Sequence, residues 1–193
     1  MAAFGGCLVV LVGLAFLAAI WAIWRYNNLV TLKNQVGNAW KQIDVQLKRR
    51  HDLIPNLIAS VKGEMQFEQD TLEKVIQARN SAVAAQGVAD TAARENQLTQ
   101  TLSRLFALAE NYPNLKANES VRSLMEELTS TENKIGFARQ FYNDIATRFN
   151  TAQEIFPDSF IAKTFNFQRV ELFEITVPGE RDVPAVDLSL RPR

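Results

Sequence analysis

One cysteine and one histidine are all that this chain of 193 residues offers to thiol and imidazole chemistry. Cys7 has no disulfide partner, which fits a reducing compartment. His51 has no accessible thiol to activate and no second imidazole beside it. Di-metal carboxylate bundles need Glu-x-x-His pairs on two helices, and Lys48 stands where the glutamate before His51 would be. Neither G-x-G-x-x-G nor G-x-x-x-x-G-K occurs, so a phosphate-cradling loop is missing. Adjacent carboxylates such as Glu126 and Glu127 face different sides of a helix, poor geometry for shared acid–base work. From these gaps the expectation is no catalytic set, no cofactor and no metal site.

An excess of charge of one sign is missing too. Lys plus Arg and Asp plus Glu each number 21, so no global field favours nucleic acid. Glycine is scarce after Gly13 and valine-rich alternating runs are absent, which argues against a sheet. Gln, Glu, Lys, Leu and Ala dominate instead, all good helix formers. The chain reads as all-α.

Charge is wholly missing from residues 1–24, and 4–24 is apolar or small almost throughout. Twenty-one helical residues span about 31 Å, the hydrocarbon thickness of a bilayer. Trp21, Trp24, Arg25 and Tyr26 gather at one end, as side chains do at a membrane interface. A cleaved signal peptide is the weaker reading, since no basic residue precedes Arg25. Residues 1–26 are therefore expected to be a single-pass transmembrane anchor in the lipid bilayer. Arg25, Lys33 and Lys41 follow it before the first carboxylate, Asp44, which puts the C-terminal part in the cytoplasm.

Beyond the anchor, Leu29, Leu32, Val36, Trp40, Ile43, Leu47, Ile54, Leu57, Val61 and Met65 keep a three–four spacing, one helix face. No proline intervenes before Pro55, so the membrane helix should run directly into this one and bend there. Asp70 and Glu73 resemble a capping box opening a second helix to about residue 85, with Leu72, Val75, Ile76, the Arg79 stem and Val83 inward. After a connector at 86–90, a third helix presents Leu98, Leu102, Leu105, Phe106 and Ala109 and ends at Tyr112-Pro113-Asn114.

The fourth helix has the cleanest seam: Val121, Leu124, Leu128, Thr131, Ile135, Ala138, Tyr142, Ile145, Phe149, Ala152 and Phe156. That seam is longer than two short helices can cover, so helix one or another subunit must follow it. Pro157 stops it, a short element follows at 158–163, and Phe160, Phe165, Phe167 and Phe173 should cap the bundle's end. Residues 176–193, with Pro178, Pro184 and Pro192, read as a disordered tail. The expected architecture is an N-terminal transmembrane helix continuous with a long helix of an antiparallel four-helix bundle occupying 27–175.

The first soluble segment, YNNLVTLKNQVGNAWKQIDVQLKRRHDLIPNLIASVKG, resembles the LemA family, above all in Ala39-Trp40, Asp44-Val45-Gln46-Leu47 and residues 49–57. ENKIGFARQFYNDIATRFNT and FPDSFIAKTFNFQRVELFEI are similar to later signatures of the same family. The resemblance runs from the anchor to about Ile175. It implies a single-pass protein of the bacterial inner membrane with a cytoplasmic helical bundle, and it implies no reaction. Relatives that act in magnetosome membranes, and genes beside a membrane metalloprotease of the HtpX type, make membrane organisation or quality control the expected setting.

Within that frame the cluster Arg49, Arg50, His51, Asp52, Pro55 and Asn56 is the candidate interaction site. Arg50 sits near the seam, where a leucine would otherwise go. Its stem is expected to pack apolar surface while its head meets a carboxylate on a neighbouring helix or reaches solvent. The alternative is a polar docking point held beside the Pro55 bend. His51 is expected to be a satisfied packing histidine. The leading functional reading is a membrane-tethered, non-catalytic scaffold that forms homo-oligomers and recruits partners. An adaptor of a membrane protease comes second, and a hydrolase or metal site around His51 third.

Overall fold

A computed structural model describes the backbone of residues 2–174, and the side chains of 11–174 apart from Gln66. The expected tail, 176–193, lies outside the described residues. All regular structure among the described residues is helical. α1 spans Ala2–Val61, α2 Gln69–Val83, α3 Gly87–Ala109, α4 Pro113–Ala117, α5 Glu119–Glu154 and α6 Asp158–Thr164.

At 1.5 Å per residue α1 is about 90 Å long, and Pro55 lies inside it without ending it. Leu29, Val36, Ala39, Ile43, Leu47, Arg50, Ile54, Leu57 and Val61 are buried at steps of three, four and seven residues, one continuous stripe. α5 lies antiparallel against it, as Arg25 meeting Asp158 just past one end and Arg50 meeting Glu132 near the other require. The lower half of this pair shares a core with α2, α3 and α4, built around Ile54, Leu57, Met65, Val75, Leu98, Leu105 and Leu128. The upper half is narrower, with Val36, Ile43, Ile135, Ile145 and Phe149 packed together.

Here the fold departs from a plain four-helix bundle. α4 is an additional short helix, opened by Pro113, whose missing N–H costs nothing at a first helical position. In the upper half the covering layer is an extended strap that follows α6. Asn150 donates Nδ2 to the Val170 carbonyl and accepts from the Val170 amide, both at 2.9 Å. Asn143 does the same for Phe173, at 3.1 and 2.8 Å. The Tyr142 hydroxyl donates to the Glu171 carbonyl at 2.8 Å. Phe167 and Phe173 thus line the side of the α1–α5 groove instead of capping the bundle, while Phe160 and Phe165 stay exposed.

Three further expectations are corrected. The Asp70–Glu73 capping box does not form: a 3-10 turn, Gln66–Glu68, hands the chain straight into α2, and Glu68 at the cap makes no side-chain capping bond. The inward face of α2 is Leu72, Val75, Ala78 and Ala82, with Ile76 and Val83 exposed. Alanines there let α3 approach closely across the connector, where Gly87 takes a φ of 79° that other residues disfavour. The seam of α5 ends at Ala152. The helix stops at Glu154, and Phe156 beyond it is 83% exposed. The start of α5 is fixed by Asn118, whose Oδ1 accepts from the Ser120 and Val121 amides at 3.0 and 3.3 Å.

The stretch read as an anchor is helical, and Leu11, Leu14, Phe16, Leu17, Ile20 and Ile23 are exposed on it. Among the described residues no helix is long and apolar enough to cross a membrane. The side chains of residues 1–10, on which the expected span also depends, lie outside the described residues.

Candidate functional site

A charged residue on a buried stripe must be paired, or its desolvation would cost several kcal/mol. Arg50, 1% exposed, is such a residue on α1, and Glu95, 0% exposed between Ala92 and Leu98 on the inner face of α3, is its counterpart. Arg50 Nη2 binds the Glu95 carboxylate, and Nη1 binds Glu132 of α5. Nη1 also donates to the Thr99 hydroxyl at 2.9 Å, and that hydroxyl donates to Glu132 at 3.2 Å. The second oxygen of Glu95 lies 2.7 Å from His51 Nε2. One arginine therefore ties α1 to α3 and α5 together.

Burial alone would push the Glu95 carboxyl up. The His51 hydrogen bond and the Arg50 charge outweigh it and hold the group below the ordinary carboxylate range. A second cation, Arg139, is drawn down by burial while the Glu132 charge acts the other way. Its guanidinium lies over the Phe173 ring, 4.7 Å from the centroid. Two arginines, Arg50 and Arg139, thus face two glutamates, Glu95 and Glu132.

Backbone chemistry completes the arrangement. Pro55 has no N–H, so the carbonyl of His51, four residues earlier, lacks its helical donor. Arg79 of α2 supplies one, Nε to O at 3.1 Å. His51 opens onto a cleft of about 500 Å³ between α1, α2 and α3, lined also by Trp40, Asp44, Asp52, Arg79 and Glu95. The one hydroxyl lining this cleft belongs to Thr91, and it donates to the Gly87 carbonyl at 2.7 Å. It is aimed at its own helix and not at His51, so His51 does not activate the Thr91 hydroxyl. No three His, Cys, Asp or Glu side chains among the described residues gather to hold a metal ion.

Of the six residues singled out in the sequence, the structure brings Arg50 and His51 together on Glu95. Arg49 is exposed and pairs with Glu127 of α5, with Nη2 at 2.5 Å. Asp52, Pro55 and Asn56 face solvent, and the Asn56 carbonyl accepts from Ser60 at 2.8 Å. The six do not form one surface. Glu95 and Glu132 were not anticipated. Glu95 carried a signal, a lone acid on an apolar stripe matching Arg50 as a lone base on another; Glu132, beside the stripe, carried none.

At the other end, the Arg25 guanidinium lies 4.9 Å from the Trp24 ring centroid and 5.8 Å from that of Trp21. Its Nε is 3.2 Å from Asp158 at the start of α6. Tyr26 turns inward onto Phe165 and Phe167, at centroid distances of 4.7 and 5.8 Å.

Residues 39–188 match the LemA family. The chain is similar to protein LemA of Metamycoplasma hominis, 29% identical over 168 residues that cover 86% of this chain and 76% of the relative. It is also similar to magnetosome protein MamQ 2 of Paramagnetospirillum magneticum, 24% identical over 88% of this chain and 71% of the relative. For magnetosome protein MamQ of Magnetospirillum gryphiswaldense the figures are 24%, 83% and 69%.

Proposed function

The chain belongs to the LemA family, and from that premise we propose that it is a membrane-anchored, non-catalytic helical scaffold of the bacterial inner membrane. It associates with further copies of itself and holds partners at the membrane surface. In this reading residues 1–26 are the anchor, 27–175 the bundle, and the bundle faces the cytoplasm.

The observation that carries the reading is the continuity of α1, from Ala2 to Val61. One helix bears exposed apolar side chains over residues 11–24 and then the buried stripe of the bundle. Whatever receives the first part therefore positions the second as a rigid rod. The polar centre supports a structural role, since Arg50, His51 and Glu95 are engaged with one another. Self-association is supported by Val45, Phe137 and Phe141, exposed on the open side of the α1–α5 pair and lining, with Lys41 and Lys134, a groove of about 530 Å³. Similarity to proteins named for the magnetosome supports an organising role.

Cysteine crosslinking in intact membranes tests this. A Phe137→Cys variant with Cys7→Ala should sediment with membranes, resist carbonate extraction and form disulfide-linked dimers on oxidation. Release by carbonate, or monomers only, would overturn the anchor or the self-association respectively.

A further inference from the structure

We infer that the corner where α5 passes into α6 is a second membrane contact, whose aromatic side chains enter the headgroup–acyl boundary beside α1. This rests on the reading of α1 as an anchor. The height of the corner is fixed by contacts. Arg25 pairs with Asp158, and Leu29 packs with Ile161 and Ala162 in a cluster that also reaches Ala22 and Tyr26. α6 is thereby held at the level of residues 22–29 of α1, where the exposed apolar stretch ends with Trp24.

The corner exposes a cluster of large apolar side chains on a short stretch of chain. Ile155, Phe156, Phe160 and Phe165 are all more than half exposed, with Phe156 the most so at 83%. α6 turns Asp158, Ile161 and Ala162 inward, so Phe160 is directed away from the bundle. Large apolar side chains gathered on so short a segment form a contact surface, not scattered exposure. Lying beside an anchor's end, they continue its apolar surface laterally into the zone where aromatic rings are favoured.

Charge fits the same occupant. Arg148 and Lys163 are exposed at the corner, placed for lipid phosphates. The nearby carboxylates are engaged, Asp158 with Arg25 and Glu154 with Arg169. A bilayer surface meets both features at once, apolar tips below and cations at phosphate level.

Site-directed spin labelling of the full chain tests the proposal. Single cysteines are placed in a Cys7→Ala background, reconstituted in nanodiscs of phosphatidylcholine and phosphatidylglycerol. Phe16→Cys reports the anchor, Phe160→Cys and Phe156→Cys the corner, and Phe67→Cys, at a 95% exposed position remote from it, the water reference. Two corner labels guard against one variant that misfolds. The expected result is a severalfold lower collision rate with a water-soluble nickel chelate at both corner labels than at Phe67, with oxygen collisions raised. If the corner labels match Phe67 while the Phe16 label is lipid-immersed, the inference fails and the anchor stands. Corner labels shielded from nickel and oxygen alike would mean a protein occupant and overturn it. A water-exposed Phe16 label would overturn both readings.

Discussion

Arg79 donates its Nε to the carbonyl of His51, the group that Pro55 strips of its helical donor. A proline inside a long helix thus becomes an attachment point for α2. The backbone acceptor it frees is buried near a charged centre, and a neighbouring helix answers it.

That relationship makes a double-mutant prediction. Arg79→Met should destabilise the chain by about 1–2 kcal/mol, through loss of a charged donor to a carbonyl with no other partner. In a Pro55→Ala background the new backbone N–H restores the helical bond, so the same Arg79→Met change should cost measurably less. Chemical denaturation of the four variants gives the coupling. Equal costs in both backgrounds would show that the Arg79 bond does not serve the proline gap.

Arg50 and Glu95 should behave as a pair. Removing one partner leaves the other's charge buried, so Arg50→Leu or Glu95→Leu alone should cost about 3–5 kcal/mol. The double change Arg50→Leu with Glu95→Leu should cost far less than the sum, because no orphaned charge remains between α1 and α3. Additive losses would mean that the two side chains contribute independently.

Glu95 also sets a pH dependence. Its native carboxyl titrates below the ordinary value of 4.5. The unfolded chain therefore takes up the proton first as pH falls. Stability from this group is full above that value and is lost as pH drops through the native one. Thermal unfolding from about pH 6 to pH 3 should show a steeper decline for the parent chain than for Glu95→Gln. Parallel curves would contradict it.

The strap is held by a geometric match. Asn143 and Asn150 are seven residues apart on α5, about 10.5 Å along a helix. Val170 and Phe173 are three apart in extended chain, about 10 Å. Each asparagine makes two bonds to the strap backbone. Asn150→Ala should cost about 1–3 kcal/mol by leaving strap groups unpaired. Hydrogen exchange at the Val170 amide should accelerate strongly while that at Leu57 hardly changes. Unchanged protection at Val170 would show that the strap is held by its aromatic side chains alone.

Much of the fold was legible along the chain. The spacing from Leu29 to Met65 and from Val121 to Ala152 gave both long helices, and Pro113 and Pro157 marked real breaks. α2 was placed correctly but rotated wrongly, because Ile76 and Val83 looked more core-like than Ala78 and Ala82. Close helix approach rewards small side chains, and hydropathy does not report it. The site was half legible: Arg50 stood out as a charge on a stripe, whereas its partners did not.

Local order was determined by sequence alone, since helical periodicity and proline breaks act within a turn or two of backbone. The resemblance of residues 26–63 to one family was equally local. Only the tertiary structure decided that Arg50 meets Glu95, 45 residues away, or that Asn143 and Asn150 would clip a strand-like segment. Such meetings depend on how helices are rotated and slid along one another. Those two quantities are fixed jointly by all the packed side chains, so neither can be read from one stretch of the chain.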